Sequence, residues 1–386
     1  MTVPPTSHRV RSRVTRRGLI GAAGAVAAGA ALTPVVMANT TSDTTSGTTS
    51  DTTDSGATDA NAGAGTTSET FPRTRAKAAT GEAPVEAAFP IGYVGVSWAG
   101  TSETAGGGIR LTDAGGGKGA WKSLSGSGCS GSNGGALLIP ADQASGYELK
   151  APDGASGLRS LALDTTRGPQ REVAVPKDTT RMRGVAYLSR AAWGADESLR
   201  FKADGTENSP TVYYPFQTIT VHHTDTPNGD PDPAATVRAI YQFHAVTNDW
   251  GDIGYHFLID EKGRIYEGRY SGADGIPAHD AAGKLVTAFH VGGFNSGNLG
   301  IALLGTLVDQ GPTDAARTAL TRLARVLTRL HGVDPKAQAT YTNPVNATKK
   351  DVPEISGHRD WMETDCPGGT MYGELAALRE AVAGGN

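Results

Sequence analysis

From residue 89 to about residue 175 the chain alternates short apolar runs with Gly-rich turns. Tyr93, Val94, Val96 and Trp98 alternate in part along residues 91–98, and further apolar runs fall at 109–111, 136–139, 147–149 and 158–163. Short strands at such regular spacing predict an antiparallel sandwich or jelly roll. Beyond residue 185 the texture becomes mixed. Residues 216–221 read as a buried strand, residues 255–259 and 264–267 as a hairpin around Glu261-Lys262-Gly263, and residues 299–304 as another strand. Asp232-Pro233 opens a helix whose periodic face is Val237, Ile240, Tyr241, His244 and Val246. Thr313 or Asp314 caps a longer helix with Ala316, Leu320, Leu323, Ala324, Leu327 and Leu330 at helical spacing, ended by Gly332 and Pro335. Pro367 opens a last helix to about Val382. The natural layering is an α/β domain over residues 185–386, a mixed central sheet flanked by helices, preceded by a β-sandwich-like domain over residues 87–178.

The amino-terminal segment needs a separate reading. Five Arg lie in the first 17 residues, including the pair Arg16-Arg17, and a small-residue apolar stretch runs from Leu19 to Val36. Gly21, Gly24, Gly29 and Pro34 make it a poor soluble helix. Val36-Met37-Ala38 offers small residues at the two specificity positions of a cleavage site. Residues 1–38 thus read as a twin-arginine-type export signal, the runner-up being an uncleaved anchor. Residues 40–58 hold nine Thr, four Ser and three Asp. Such a segment buries too little apolar surface to offset its ordering entropy, so residues 39–86 read as a disordered linker. The expectation is a secreted or cell-wall-associated protein with no membrane span after cleavage.

Charge narrows the partners. Of 35 Lys and Arg, 30 remain once the first 17 residues are removed, against 39 Asp and Glu, a net −9. That balance argues against nucleic-acid binding, which needs phosphate neutralisation. The 52 glycines have no three-residue period, which excludes collagen. Two cysteines, Cys129 and Cys366, cannot build a disulfide scaffold. In the β region Trp98 and Trp121 suggest either core residues, the reading adopted, or a carbohydrate platform. Cys129 has no assigned role.

The candidate chemistry lies beyond residue 185. Histidines stand at 222, 223, 256, 290 and 358, and Cys366 follows His358 by eight residues across a loop containing Pro and Gly. Adjacent strand residues point to opposite faces, so His222 and His223 cannot easily serve one site. Thr218, Thr220 and His222 share a polar face. Ile219, Val221 and His223 share an apolar one that packs inward. A histidine pair plus a thiolate suits zinc with one position open for water. Zinc would lower the pKa of that water and polarise a carbonyl.

Several ordered motifs make the pattern more specific. They are the run from Leu188 through Trp193 to Ala195, then Val221-His222-His223-Thr224, then Asp252-Ile253-Gly254-Tyr255-His256-Phe257. They continue with His290-Val291-Gly292-Gly293-Phe294-Asn295, the run from Asn298 to Gly305, Gly357-His358-Arg359-Asp360 and Cys366-Pro367-Gly368. Over residues 185–384 the chain resembles the peptidoglycan recognition proteins and zinc N-acetylmuramoyl-L-alanine amidases. The resemblance implies His222, His358 and Cys366 as zinc ligands. It also implies Tyr255 as the catalytic tyrosine, Thr364 as a second catalytic position, and Thr224, His290 and Asn295 along the peptide groove.

The implied activity is hydrolysis of the amide between muramic acid and L-Ala of peptidoglycan by a monomer. No His-Glu-x-x-His helix supplies a carboxylate base. Two alternatives stand beside it: a recognition module that binds muropeptide without cutting, disfavoured by the presence of Cys366, and an unrelated zinc hydrolase or structural zinc site. Because every motif lies beyond the texture break near residues 175–183, the carboxy-terminal region is expected to fold and act alone.

Overall fold

The computed structural model describes residues 65–101, 104–124, 134–273 and 275–384. The export signal, the first part of the linker and Cys129 lie outside the described residues. No described helix is long and apolar enough to cross a membrane.

The amino-terminal region is all antiparallel. Strands β1 (Thr66–Pro72), β2 (Arg75–Thr80), β3 (Val85–Ala99), β4 (Gly108–Thr112), β5 (Lys122–Ser123), β6 (Gly134–Lys150), β7 (Ser156–Asp164) and β8 (Gln170–Pro176) follow in chain order. β1 and β8 form a two-stranded ribbon, and the rest form one sheet in the order β2-β7-β3-β6-β4-β5. The linker reading to residue 86 and the domain start at residue 87 are therefore corrected. β1 and β2 reach back to residue 66, because Thr66 to Pro72 pair with Pro176 to Gln170, and Arg75 to Thr80 pair with Asp164 to Arg159. Their side chains are mostly exposed, so no apolar alternation marked them. Apart from the β1–β8 ribbon, the strands of this region form one hydrogen-bonded six-stranded sheet. Register shifts between Glu86, Ile91 and Tyr93 bend β3, as bulges do, and Ile91, Val94, Val96, Ile109, Tyr147 and Leu149 meet in one core. Trp98 belongs to that core. Trp121 does not: Arg110 and Lys150 sit 4.9 and 4.4 Å from its ring.

The carboxy-terminal region is the expected mixed sheet between helices. Short strands β9 (Arg181–Met182) and β10 (Val185–Ala186) pair with each other, and β11 (Tyr213–Tyr214) pairs with β15 (Leu285–Val286). The central sheet uses β12 (Thr218–His223), β13 (Phe257–Ile259), β14 (Ile265–Glu267), β16 (Asn298–Leu303) and β19 (Ile355–Gly357), in the order β14-β13-β16-β12-β19. The β12 strand lies parallel to both neighbours, and only β14 runs antiparallel. A hairpin of β17 (Gln338–Thr342) and β18 (Lys349–Pro353) precedes β19.

Helices α1 (Pro233–Gln242), α2 (Asp314–His331) and α3 (Gly369–Ala383) cover the sheet. Leu320, Leu323 and Leu327 of α2 are fully buried with Ile219, Val221 and Leu375, each worth about 1.5–3 kcal/mol of transfer from water. The Thr313 hydroxyl accepts from the Ala316 amide at 3.2 Å, and Gly332 ends α2 in the left-handed region at φ 64°. On the other face Val237, Ile240 and Tyr241 of α1 pack with Leu258, Ala302 and Trp193. The α1 face departs from the sequence reading at its end. Residues Phe243–Thr247 form a π-turn, whose extra residue shifts the phase. Val246 is consequently exposed, while Phe243 and His244 are buried.

Phe243 joins the two regions. It clusters with Ala136, Leu161, Leu163 and Ala239, so both sheets contribute to its pocket. The Tyr93 hydroxyl meets Thr236 Oγ1 at 2.7 Å, Arg238 donates to the Thr165 carbonyl at 3.3 Å, and Arg171 donates to the Gly194 carbonyl at 2.6 Å. The carboxy-terminal region packs on the preceding one, and their separation would expose the Phe243 ring and the groups bonded across the seam. A side chain at Gly95 would place its Cβ 2.4 Å from the Phe243 ring. Gly95→Ala is expected to overpack the seam by about 1–3 kcal/mol and to lower the melting temperature of the whole chain. An unchanged melting curve would contradict a tight seam.

Candidate active site

The site lies at the carboxyl ends of the parallel strands. His222 is the fifth residue of β12, and His358 directly follows β19. Val221 pairs with Gly357 across the parallel ladder, which brings the two imidazoles to a centroid distance of 4.6 Å. Cys366 arrives from the loop before α3, its Sγ 3.5 Å from His222 Nδ1. Candidate ligand atoms of His222, His358 and Cys366 all lie within 4.8 Å of one another, and all three residues are buried.

The residues fit a bound metal ion. His358 is 1% exposed, yet neither of its ring nitrogens has a hydrogen-bond partner among the described residues. Unpaired buried polar atoms are costly, and a ligand role accounts for them. Burial and then neighbouring imidazoles push His222 far below its usual pKa and His358 down to about 3. Both rings are therefore neutral, with lone pairs free to donate.

A chain of hydrogen bonds fixes which lone pair His222 offers. His290 Nε2 donates to the Asn298 carbonyl at 3.0 Å, since a carbonyl only accepts. The neutral His290 then has Nδ1 as an acceptor, and His222 Nε2 donates to it at 3.0 Å. That leaves His222 Nδ1 unprotonated beside Cys366. Such outer partners set the tautomer of a metal-binding histidine. Gly300 makes room for the relay, because a Cβ there would lie 2.6 Å from the His290 ring.

The other expected residues separate into two groups. Tyr255 is buried beside His222, ring centroids 5.3 Å apart, and lines a cleft of about 280 Å³ with Thr224. Thr224 Oγ1 also meets Thr226 Oγ1 at 2.8 Å and accepts from the Gly305 amide at 3.2 Å. Thr364 accepts from the Cys366 amide at 3.3 Å, bracing the turn that presents the thiol. His290 and Asn295 do not line this cleft. His290 lies behind His222, 2% exposed and bonded through both nitrogens. Asn295 Oδ1 accepts from the His290 and Val291 amides at 2.8 Å each, so it shapes the loop that carries His290. His223 turns to the helix side, as the alternation requires, and its Nδ1 accepts from the Leu307 amide at 3.1 Å.

One site residue escaped the sequence reading. His244 lines the cleft beside Tyr255, ring centroids 5.5 Å apart, and its Nδ1 accepts from the Gly254 amide at 3.0 Å. The proton therefore sits on Nε2. A histidine in the middle of an apolar helical face was the available signal. Arg190, buried in the run beginning at Leu188, holds the tyrosine segment by pairing with Asp252 at 3.0 Å. Asp252 in turn accepts from the Ile253 amide at 2.7 Å and the Tyr270 amide at 2.9 Å.

Over this region the chain is similar to known proteins. Residues 212–369 match the family described as N-acetylmuramoyl-L-alanine amidase. A human N-acetylmuramoyl-L-alanine amidase is 31% identical over 192 residues, covering 48% of this chain and 27% of that protein. Peptidoglycan-recognition protein LB of Drosophila melanogaster is 27% identical over 200 residues, covering 50% of this chain and 70% of that protein. The solved wild-type Drosophila PGRP-LB covers 50% of this chain and 92% of its own, at 25% identity and a TM-score of 0.36. Residues 212–369 thus carry the amidase-family match, and the carboxy-terminal region is similar to peptidoglycan recognition proteins. The match spans about a quarter of the length of the human and pig amidases.

Two buried histidines outside the ligand set make stability pH-dependent. His256 bonds through both nitrogens, accepting from the Gly300 amide and donating to the Val286 carbonyl. Burial holds its pKa well below 6.5 and that of His244 at about 3. Below pH 6.5 the unfolded chain therefore binds more protons than the fold. Stability is full above that pH and falls as pH drops, by up to about 1.4 kcal/mol per pH unit for each histidine. Melting temperatures of metal-free protein are expected to fall from pH 7 to pH 5, and a flat profile would overturn the assignment of neutral buried rings.

Proposed function

We propose that this chain is a secreted, zinc-dependent N-acetylmuramoyl-L-alanine amidase. The bond cut is the amide between the lactyl group of muramic acid and L-Ala of the stem peptide. The observation that carries this reading is the convergence of two neutral imidazoles and a thiol beside a cleft lined by Tyr255. The donor set suits zinc. Bound there, zinc would supply Lewis acidity to the scissile carbonyl and lower the pKa of an attacking water.

The chain's own residues do the rest. His222, His358 and Cys366 hold the ion, and His290 fixes the tautomer of His222. Tyr255 donates its hydroxyl proton as a hydrogen bond to the carbonyl oxygen as charge develops there, an electrostatic contribution that grows towards the transition state. His244 presents its Nε2 proton from the same wall. Thr364 holds the cysteine turn. The enclosing walls exclude water and strengthen these interactions. The arginine pair and apolar stretch before residue 39 support export, and a monomer suffices because one chain supplies every group named. The retained Cys366 favours hydrolysis over recognition alone.

Mass spectrometry of peptidoglycan digested by the purified protein is expected to show free stem peptides. A chelator should abolish the activity and added zinc restore it. Release of disaccharides instead, or full turnover without metal, would reject the reading. His222→Ala is expected to lose metal and turnover together, and His223→Ala to keep near-stoichiometric metal. His290→Ala should weaken metal binding about 10–100-fold. Tyr255→Phe should retain metal and lose about 100-fold or more in kcat.

A further inference from the structure

The cleft beside Tyr255 is not enclosed by the carboxy-terminal region alone. One wall consists of His223, Thr224, Asp225, Ile240, Phe243, His244 and Tyr255. The facing wall belongs to the amino-terminal sheet: Ile109 and Leu111 of β4, Lys122 and Ser123 of β5, and residues 136–140 of β6. The seam that joins the two regions is also the side of this cleft, since Phe243 and Ala136 pack together and both line it.

The chemistry of the facing wall is specific. Its floor is hydrocarbon, supplied by Leu111, Leu138 and Ile139. At its edge stands a cation. Of the basic residues around β4 to β6, Arg110 and Lys118 pair with Glu148, and Lys150 sits over the Trp121 ring. Lys122 is exposed, lines the cleft and forms no ion pair with a described residue. The opposite wall carries Asp225, which repels an anion there and so directs any carboxylate of a bound molecule towards the sheet side.

We propose that the amino-terminal sheet is part of the substrate site: its β4–β6 edge forms a subsite for an aliphatic, carboxylate-bearing segment of the peptide, and Lys122 pairs with that carboxylate. The subsite rests on the peptidoglycan reading for the identity of its ligand, and on the cleft geometry for its place. It makes the amino-terminal sheet a specificity element, and Lys122 a group that sets affinity rather than the chemical step.

The test uses the full chain and two soluble muropeptides that differ only in whether one stem-peptide carboxylate is free or amidated. Calorimetric titration of metal-free protein measures binding, and turnover of the metal-loaded protein is followed separately. Wild type is expected to bind the free-carboxylate form more tightly. Lys122→Glu should weaken that form roughly fivefold to tenfold and raise its KM in step, leave the amidated form within twofold, and leave the melting temperature unchanged. Lys122→Arg should restore the preference. Equal binding of both forms by wild type, or an unaltered preference in Lys122→Glu, would overturn the subsite. Binding with the expected preference but no peptide release would overturn the amidase reading and leave the subsite standing.

Discussion

The parallel pairing of β12 with β19 is the constraint on which the site depends. Parallel neighbours end on the same side of a sheet, so residues that follow two such strands emerge together. Here the pairing of Val221 with Gly357 sets His222 and His358 side by side, although 136 positions of sequence separate them. The pairing itself is held by burial: Ile219 and Ile355 are paired across the ladder and pack with Leu320, Leu323 and Leu375 of the covering helices. Gly357 allows this closeness, since a Cβ there would lie 2.9–3.1 Å from Tyr372, Pro367 and Leu375. A slip of one residue in β12 would exchange the faces of His222 and His223.

Around that junction the polar groups are arranged to hold neutral rings in defined tautomers. His290 fixes His222, the Gly300 amide and Val286 carbonyl fix His256, and the Gly254 amide fixes His244. Each bond satisfies a buried nitrogen and also chooses where its proton sits. His358 stands apart, since neither ring nitrogen has a hydrogen-bond partner among the described residues, an arrangement that suits a metal ligand. The buried Arg190–Asp252 pair extends the same logic to the tyrosine. Breaking one partner of such a pair leaves an uncompensated charge, so the segment that carries Tyr255 has little freedom to shift.

The amino-terminal sheet changes the meaning of this site. Helix α1 ends in a π-turn, and the turn aims Phe243 into the sheet and His244 into the cleft. Packing and the shape of the cleft are thereby coupled: the residue that seals the two regions also lines the cleft, next to His244. Displacement at the seam would be felt at the wall of the site, because close-packed interiors transmit strain rather than absorb it.

The sequence alone determined the long helix, the strands that carry the site and the residue types of the candidate metal set. The apolar periodicity of α2, its Thr313 and Gly332 ends, and the strands bearing His222 and Tyr255 were legible because each is specified by local pattern. The opposite orientation of His222 and His223 was legible too, since alternation along a strand is a property of its backbone. Three things were decided only by tertiary structure. β1 and β2 are strands because β8 and β7 pair with their backbones, a bond that exposed side chains do not announce. His290 and Asn295 brace His222 and the loop behind it, because their polar atoms are bonded within the fold. The cleft has a second wall, because packing around Phe243 brings β4 to β6 to the side of Tyr255. Local pattern records how a segment folds. Which distant backbone satisfies a hydrogen bond, and which distant surface covers an aromatic ring, are settled only when the segments meet.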